Sequence, residues 1–245
     1  MPSPSSSSST LDQILSRQDV WRGHRHRGAP HNCIDSGYAA LNAELLQGGW
    51  PAGTLIEICQ KTFQGEWQLF FPALRTQSSG LIVLLNPPAE PFCQAFIQAE
   101  INLERLLVIN APNNSQFLHC FTELARSNNC GAVLAWQPNK GLTYTDLRKC
   151  LLAAAGTNTL CALFRSLAEQ QKSSPAALRL SLKIIKNNIE LIVFKQKGLL
   201  QKHQPRPIQL PLPTCWQAAL PHRALGHSGP EEKAAVAVVN LKAGT

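Results

Sequence analysis

The stretch Gly48-Gly49-Trp50-Pro51-Ala52-Gly53-Thr54-Leu55-Ile56-Glu57-Ile58-Cys59-Gln60-Lys61-Thr62-Phe63-Gln64-Gly65-Glu66-Trp67 decides how the chain is read. Its glycines and proline mark a turn. Residues 55–59 form a short apolar run that predicts a strand. A loop follows, and over 66–76 the apolar positions Trp67, Phe70, Phe71 and Leu74 fall at helical spacing. Turn, strand, loop and helix in that order open a βαβ unit.

Downstream the rhythm repeats. Strands are predicted over 81–85, 106–109, 132–135 and 160–164. Helices are predicted over 88–99, 115–126 and 144–155. The strand runs are continuously apolar, which calls for cover on both faces and hence a parallel sheet flanked by helices. After residue 166 the pattern changes. Leu178, Leu180 and Leu182 alternate with Arg179, Ser181 and Lys183, and Asn187-Asn188 reads as a turn. Residues 189–194 form a second strand that ends in Lys195-Gln196-Lys197-Gly198. This predicts an antiparallel hairpin added to the sheet. Beyond it come Pro205, Pro207, Pro211 and Pro213, and the last thirty residues are expected to be mobile. Only residues 234–241 are apolar there, and their place is left open.

The 245 residues suit one domain with extended ends. Apolar residues make up 44% and charged residues 16%, a composition that supports a core and excludes disorder throughout. No apolar run approaches the ~20 residues of a membrane helix, and the Ser/Pro-rich start is no secretory signal. A cytoplasmic protein is expected. None of the eight cysteines (Cys33, Cys59, Cys93, Cys120, Cys130, Cys150, Cys161, Cys215) forms a C-x-x-C pair, so buried reduced thiols are expected and no metal site. His24 and His26 are too closely spaced to share a helix face and lack a third ligand. His31, Asp35 and Ser36 make no nucleophile elbow. Net charge is +8, and residues 166–245 hold eleven Lys/Arg against four Asp/Glu. That basic end either meets an anionic partner, nucleic acid or protein, or is simply solvated.

Ile34-Asp35-Ser36-Gly37, Leu41-Asn42 and the segment from Gly48 to Ile58 together resemble the approach to the RecA/RadA core. In that family the next segment is the P-loop, G-x-x-x-x-G-K-[ST]. In this register it runs Gln60, Lys61, Thr62, Phe63, Gln64, Gly65, Glu66, Trp67, and only Gly65 matches. A P-loop holds phosphates with backbone N–H groups and its lysine, and its Ser/Thr hydroxyl binds Mg²⁺. Glu66 puts a carboxylate in place of the ammonium, and two like charges at ~4 Å repel by about 4 kcal/mol at an effective dielectric of 20. Trp67 offers a metal no oxygen. The water-activating glutamate falls at Pro88 and the Walker B acid at Trp136. Four lost positions describe a RecA-like domain without ATP chemistry, without cofactor and without catalytic residues.

Within that superfamily the chain resembles the ImuA family of SOS mutagenesis proteins, relatives of the SulA division inhibitor. The resemblance rests on the order of Val20-Trp21-Arg22-Gly23, the turn at 48–53, Asn86-Pro87-Pro88, residues 101–108, Gly131 to Trp136, and Ser174 to Leu180. Ser166 stands where relatives carry proline. The division implied is a disordered tail over 1–9, a docking arm over 10–30, a RecA-like domain with a degenerate P-loop over 31–213, and a flexible tail over 214–245. The function implied is non-enzymatic: an adaptor in error-prone translesion synthesis. Its implied partners are an ImuB-like inactive Y-family polymerase relative and an error-prone replicative-type polymerase, with RecA itself a further candidate. The alternative is a SulA-like inhibitor of the tubulin-like division protein, but SulA lacks most of the arm and the Gly-Gly-Trp-Pro-x-Gly turn. Trp21 and Arg22 are candidate partner anchors, or Trp21 closes over its own core beside Trp50. Lys195 and Lys197 match the Lys-x-Lys at the end of the RecA hairpin. They either contact a partner or DNA phosphate, giving weak binding at most, or form a solvated strand end.

Overall fold

In the computed structural model, residues 32–61, 66–77, 79–185, 188–198, 205–211 and 237–241 are described. The chain divides into residues 1–31 and 32–245, and all described residues lie in the second part. The expected tail and docking arm, with Trp21 and Arg22, therefore fall outside the described residues, as do Gly65 and Cys215.

The turn at 48–53 starts the domain. Gly53 has φ +66°, and a Cβ there would sit 2.3 Å from the Thr157 carbonyl oxygen, so only glycine fits. The turn brings strand β2 (Trp50–Pro51) against β1 (Cys33–Ile34), which precedes helix α1 (Ala39–Glu44). It also buries Trp50 completely. β3 (Thr54–Gln60) follows and is buried at all seven positions.

The helix expected over 66–76 divides in two. A 3-10 turn (Glu66–Phe70) leads into α2 (Phe71–Thr76), with Pro72 in the first helical turn. Pro72 lacks the N–H that would continue an α-helix from further back. Next come β4 (Leu81–Leu85), α3 (Cys93–Gln98) and β5 (Leu106–Asn110). The helix expected over 88–99 is shorter because Pro88 and Pro91 disfavour helical backbone at the residues before them. β6 (Cys130–Trp136) follows α4 (Asn114–Arg126), which Asn113 caps by accepting the Gln116 N–H at 2.9 Å. β7 (Leu160–Ser166) follows α5 (Tyr144–Ala154), which opens on a Thr143/Asp146 capping box. A 3-10 turn (Leu167–Gln171) leads to the hairpin of β8 (Leu178–Ile185) and β9 (Asn188–Gln196). Asn188 starts β9, and Asn187 lies outside the described residues.

Two strands were not foreseen. β10 (Pro207–Pro211) adds antiparallel to β9, with Ile208 and Leu210 inward and prolines at both ends, where an edge tolerates them. β11 (Ala237–Asn240) adds parallel to β5. This corrects the expectation of mobility for those four residues of the tail.

The sheet order is β10-β9-β8-β3-β7-β6-β4-β5-β11, and β9 alone runs against its neighbours. The protein is thus α/β, with a large, mostly parallel sheet flanked by helices and an antiparallel hairpin. α1, α2 and α3 cover one face over Ile56, Ile58, Leu84, Leu134 and Phe164. α4 and α5 cover the other over Leu55, Val83, Val133, Cys161 and Leu163. Cys59, Cys130, Cys150 and Cys161 are buried free thiols. Burial pushes the thiol pKa of Cys59 up to about 11 and that of Cys150 to about 12. Among the described residues no helix is long and apolar enough to cross a membrane.

Candidate functional site

In open parallel sheets, ligands bind beyond the carboxyl ends of the strands, where the order of connections reverses. Here the chain leaves β3, crosses β7 and β6 to reach β4, and returns to β3's other side with β8. The carboxyl end of β3 is therefore the place to look. Gln60 is buried at the strand end and Lys61 is exposed just after it. Glu66 opens the 3-10 turn.

Trp67 turns into the core instead of facing a ligand. Its ring packs edge-on to Phe71 at 5.2 Å and against Phe96 at 4.8 Å, joining the 3-10 turn to α2 and α3. Trp136, at the end of β6, is also buried and stacks on Phe164 with 4.7 Å between centroids and 18° between planes. Phe164 meets Phe70, and Phe70 meets Trp50. An aromatic row thus crosses one sheet face from Trp50 in the turn to Trp136 at the end of β6. Pro88 is exposed in the loop after β4. Asn86 fixes that strand end: at φ 56° it donates its amide to Ala111 O at 2.9 Å and accepts the Ala111 N–H at 2.6 Å.

Glu57 belongs to none of the motifs above, yet it centres the densest polar cluster among the described residues. Glu57, Cys59, Arg165 and Arg179 share one sheet face by register. The Glu57 carboxylate accepts from Arg165 Nη1 at 3.2 Å, from Arg179 Nε at 2.8 Å and from the Ser174 hydroxyl. Arg165 also donates to Glu169 Oε2 at 2.7 Å and Gln137 Oε1 at 2.6 Å. Arg179 donates to the Glu169 carbonyl at 3.0 Å and lies over the Phe194 ring at 4.9 Å. Lys172 reaches Glu169 Oε1 at 2.8 Å. The side chains of Glu57 and Arg165 are 0% and 1% exposed, so their charges are tolerated only because each is paired. The Ser174 hydroxyl donates to Glu57 and accepts the Ala176 N–H, so it is held as a strut. The network joins β3, β7, β8 and the 3-10 turn after β7. One signal for it was available in the sequence: a lone glutamate in an apolar strand that is covered on both faces requires a buried cation.

The hairpin lysines separate. Lys195 is half-buried, donates to the Ser174 carbonyl at 2.6 Å and has its pKa lowered by burial. It is a positioning contact for the network. Lys197 is exposed, and only its backbone N–H is bonded among the described contacts, to Ala177 O at 2.7 Å. Ser166 has φ −60°, the value a proline ring fixes, so the backbone there is one that proline could also adopt. A cavity of about 550 Å³ lies at the opposite, amino ends of β4, β6 and β7, lined by Gln77, Ser79, Asn128 and Thr157 among others. No protein-family model and no curated protein matches the chain.

Proposed function

We propose that the chain is a non-catalytic RecA-like adaptor that works in the cytoplasm in SOS-induced, error-prone translesion synthesis. It acts beside an ImuB-like inactive polymerase relative and an error-prone replicative-type polymerase. The observation that carries this reading is the packing of Trp67 and Trp136. Both stand where nucleotide chemistry would require an oxygen ligand, and both are bound into the core. A site that had merely lost affinity would keep an open crevice with altered lining. Here the two positions have become part of what holds the fold together. The order of motifs from Gly48 to Leu180 and the hairpin after the parallel strands support the RecA-like half of the reading.

The first test is calorimetry of the full chain with ATP and Mg²⁺. A dissociation constant below ~100 μM, equivalent to about 5.5 kcal/mol, overturns the non-catalytic reading. The second is capture of a purified ImuB-like protein. Trp21→Ala should leave the melting temperature unchanged and weaken that capture by about 2 kcal/mol or more. Capture of the tubulin-like division protein instead would replace the adaptor with the inhibitor.

A further inference from the structure

β11 differs from every other strand of the sheet. All four of its residues are exposed, with Val238 at 56% and Val239 at 43%. It pairs in parallel with β5, Ala237 opposite Leu107 through Asn240 opposite Asn110. Two further contacts fix its register. The Asn110 amide donates to Asn240 Oδ1 at 2.6 Å, and the Leu241 N–H donates to Asn110 O at 3.0 Å. Leu241 alone reaches the core, packing against the cluster under α4 and α5.

The chain's path adds to this. β10 and β11 are the two outer strands of the sheet. Nine strands at ~4.8 Å set those edges roughly 38 Å apart, while residues 212–236 can span up to roughly 85 Å. The connecting sequence is therefore long enough to join the two edges. What residues 237–241 cover needs covering, because an open β5 edge presents a row of unpaired N–H and C=O groups.

We propose that the β5 edge is a strand-accepting site, that residues 237–241 occupy it as an internal placeholder, and that its ligand is an extended segment of another protein ending in Asn-Leu. Recognition is by strand addition: backbone pairing supplies attraction, and side-chain pockets supply selectivity. Asn110 selects the asparagine by amide pairing, and the hollow that holds Leu241 selects the leucine. A second copy of this chain is a poor occupant. Its strand offers the same contacts as the internal one and must bind as a separate molecule, whereas the internal strand is tethered. A displacing segment has to cover more of the edge than Ala237, Val238 and Val239 do. Larger apolar residues at those positions accomplish that.

The test uses the full chain and a labelled peptide of residues 234–243, followed by fluorescence anisotropy. The double variant Asn240→Ala/Leu241→Asp weakens the internal strand, so the variant should bind the peptide about ten-fold or more tighter than wild type. Adding Asn110→Ala should remove the gain. Equal affinity of wild type and variant, or equal binding of a scrambled peptide, overturns the proposal. Hydrogen exchange on the wild-type chain decides independently of the variant's folding. The Leu241 amide, which faces β5 and bonds Asn110 O, should exchange about a hundred-fold faster than the amides of β6, and equal protection overturns the placeholder. A dimer that grows with concentration and is lost in the variant would show strand exchange between copies, and would also overturn it.

Discussion

Glu57 is the residue on which the interior's electrostatics turn. Its carboxylate is held by two arginines and a serine, and removing one arginine leaves a buried charge short of a partner. Arg179→Ala should therefore cost about 3–5 kcal/mol, measured by urea unfolding. Replacing three of the group together, as Glu57→Met, Arg165→Met and Arg179→Leu, should cost less than Arg179→Ala alone, because the Glu57 charge goes with its partners and Lys172 still pairs with Glu169. A larger loss in the triple variant would mean that the ion pairs outweigh their desolvation. Asp146 offers a pH-dependent case. The Thr143 hydroxyl, first, and its backbone N–H hold the Asp146 carboxyl below its ordinary 3.8. A depressed acid adds stability that is present above 3.8 and lost as pH falls through the lowered value. Thr143→Ala should cost about 1 kcal/mol near neutral pH. The gap to wild type should narrow in acid without closing, because the Asp146 N–H bond to the Thr143 hydroxyl does not titrate.

At the scale of elements, the 3-10 turn Glu66–Phe70 is a packing device. Glu66→Lys/Trp67→Ser would restore the P-loop ending by sequence. It should lower the melting temperature by a few degrees, because the half-buried Trp67 ring packs on Phe71 and Phe96, and losing it costs less than the about 3–5 kcal/mol of a fully buried Trp. Calorimetry should still show no ATP binding. The parallel strands and the hairpin were legible because apolar runs and alternation are local signals. The prolines at 72, 88 and 91 carried the signal for the shortened helices, but helical spacing outweighed it. β10 and β11 were illegible for a different reason. A five-residue alternation between prolines and the four residues Ala237-Val238-Val239-Asn240 become strands only where an edge is there to receive them, and which edge is open is a property of the assembled sheet. The aromatic packing of Trp67 and Trp136 was equally hidden. Which rings meet is set by the assembled sheet and helices.

For the whole molecule, the uneven charge is the feature with the longest reach. Lys183, Lys197 and Arg206 are exposed on or beside β8, β9 and β10, while Lys195 is committed to Ser174. Any DNA contact should be weak and fall steeply with salt. Lys197→Glu should weaken it and flatten the salt dependence by about one contact, while Lys195→Glu should chiefly destabilise the fold. Anisotropy with labelled single strands at several salt concentrations separates these outcomes. The strand order also governs how the chain is born. β3 pairs only with β7 and β8, and Glu57 meets its arginines 108 and 122 residues downstream. At ~5–20 residues per second a ribosome needs roughly 6–24 s to pass from one to the other. Throughout that interval β3, which the folded sheet buries at all seven positions, lacks its full set of neighbours. A carboxylate at its midpoint is then no longer a buried ion but a solvated charge, and a charge within an apolar strand is what discourages nascent chains from pairing with one another. The triple apolar variant should accordingly leave more of its product aggregated during synthesis.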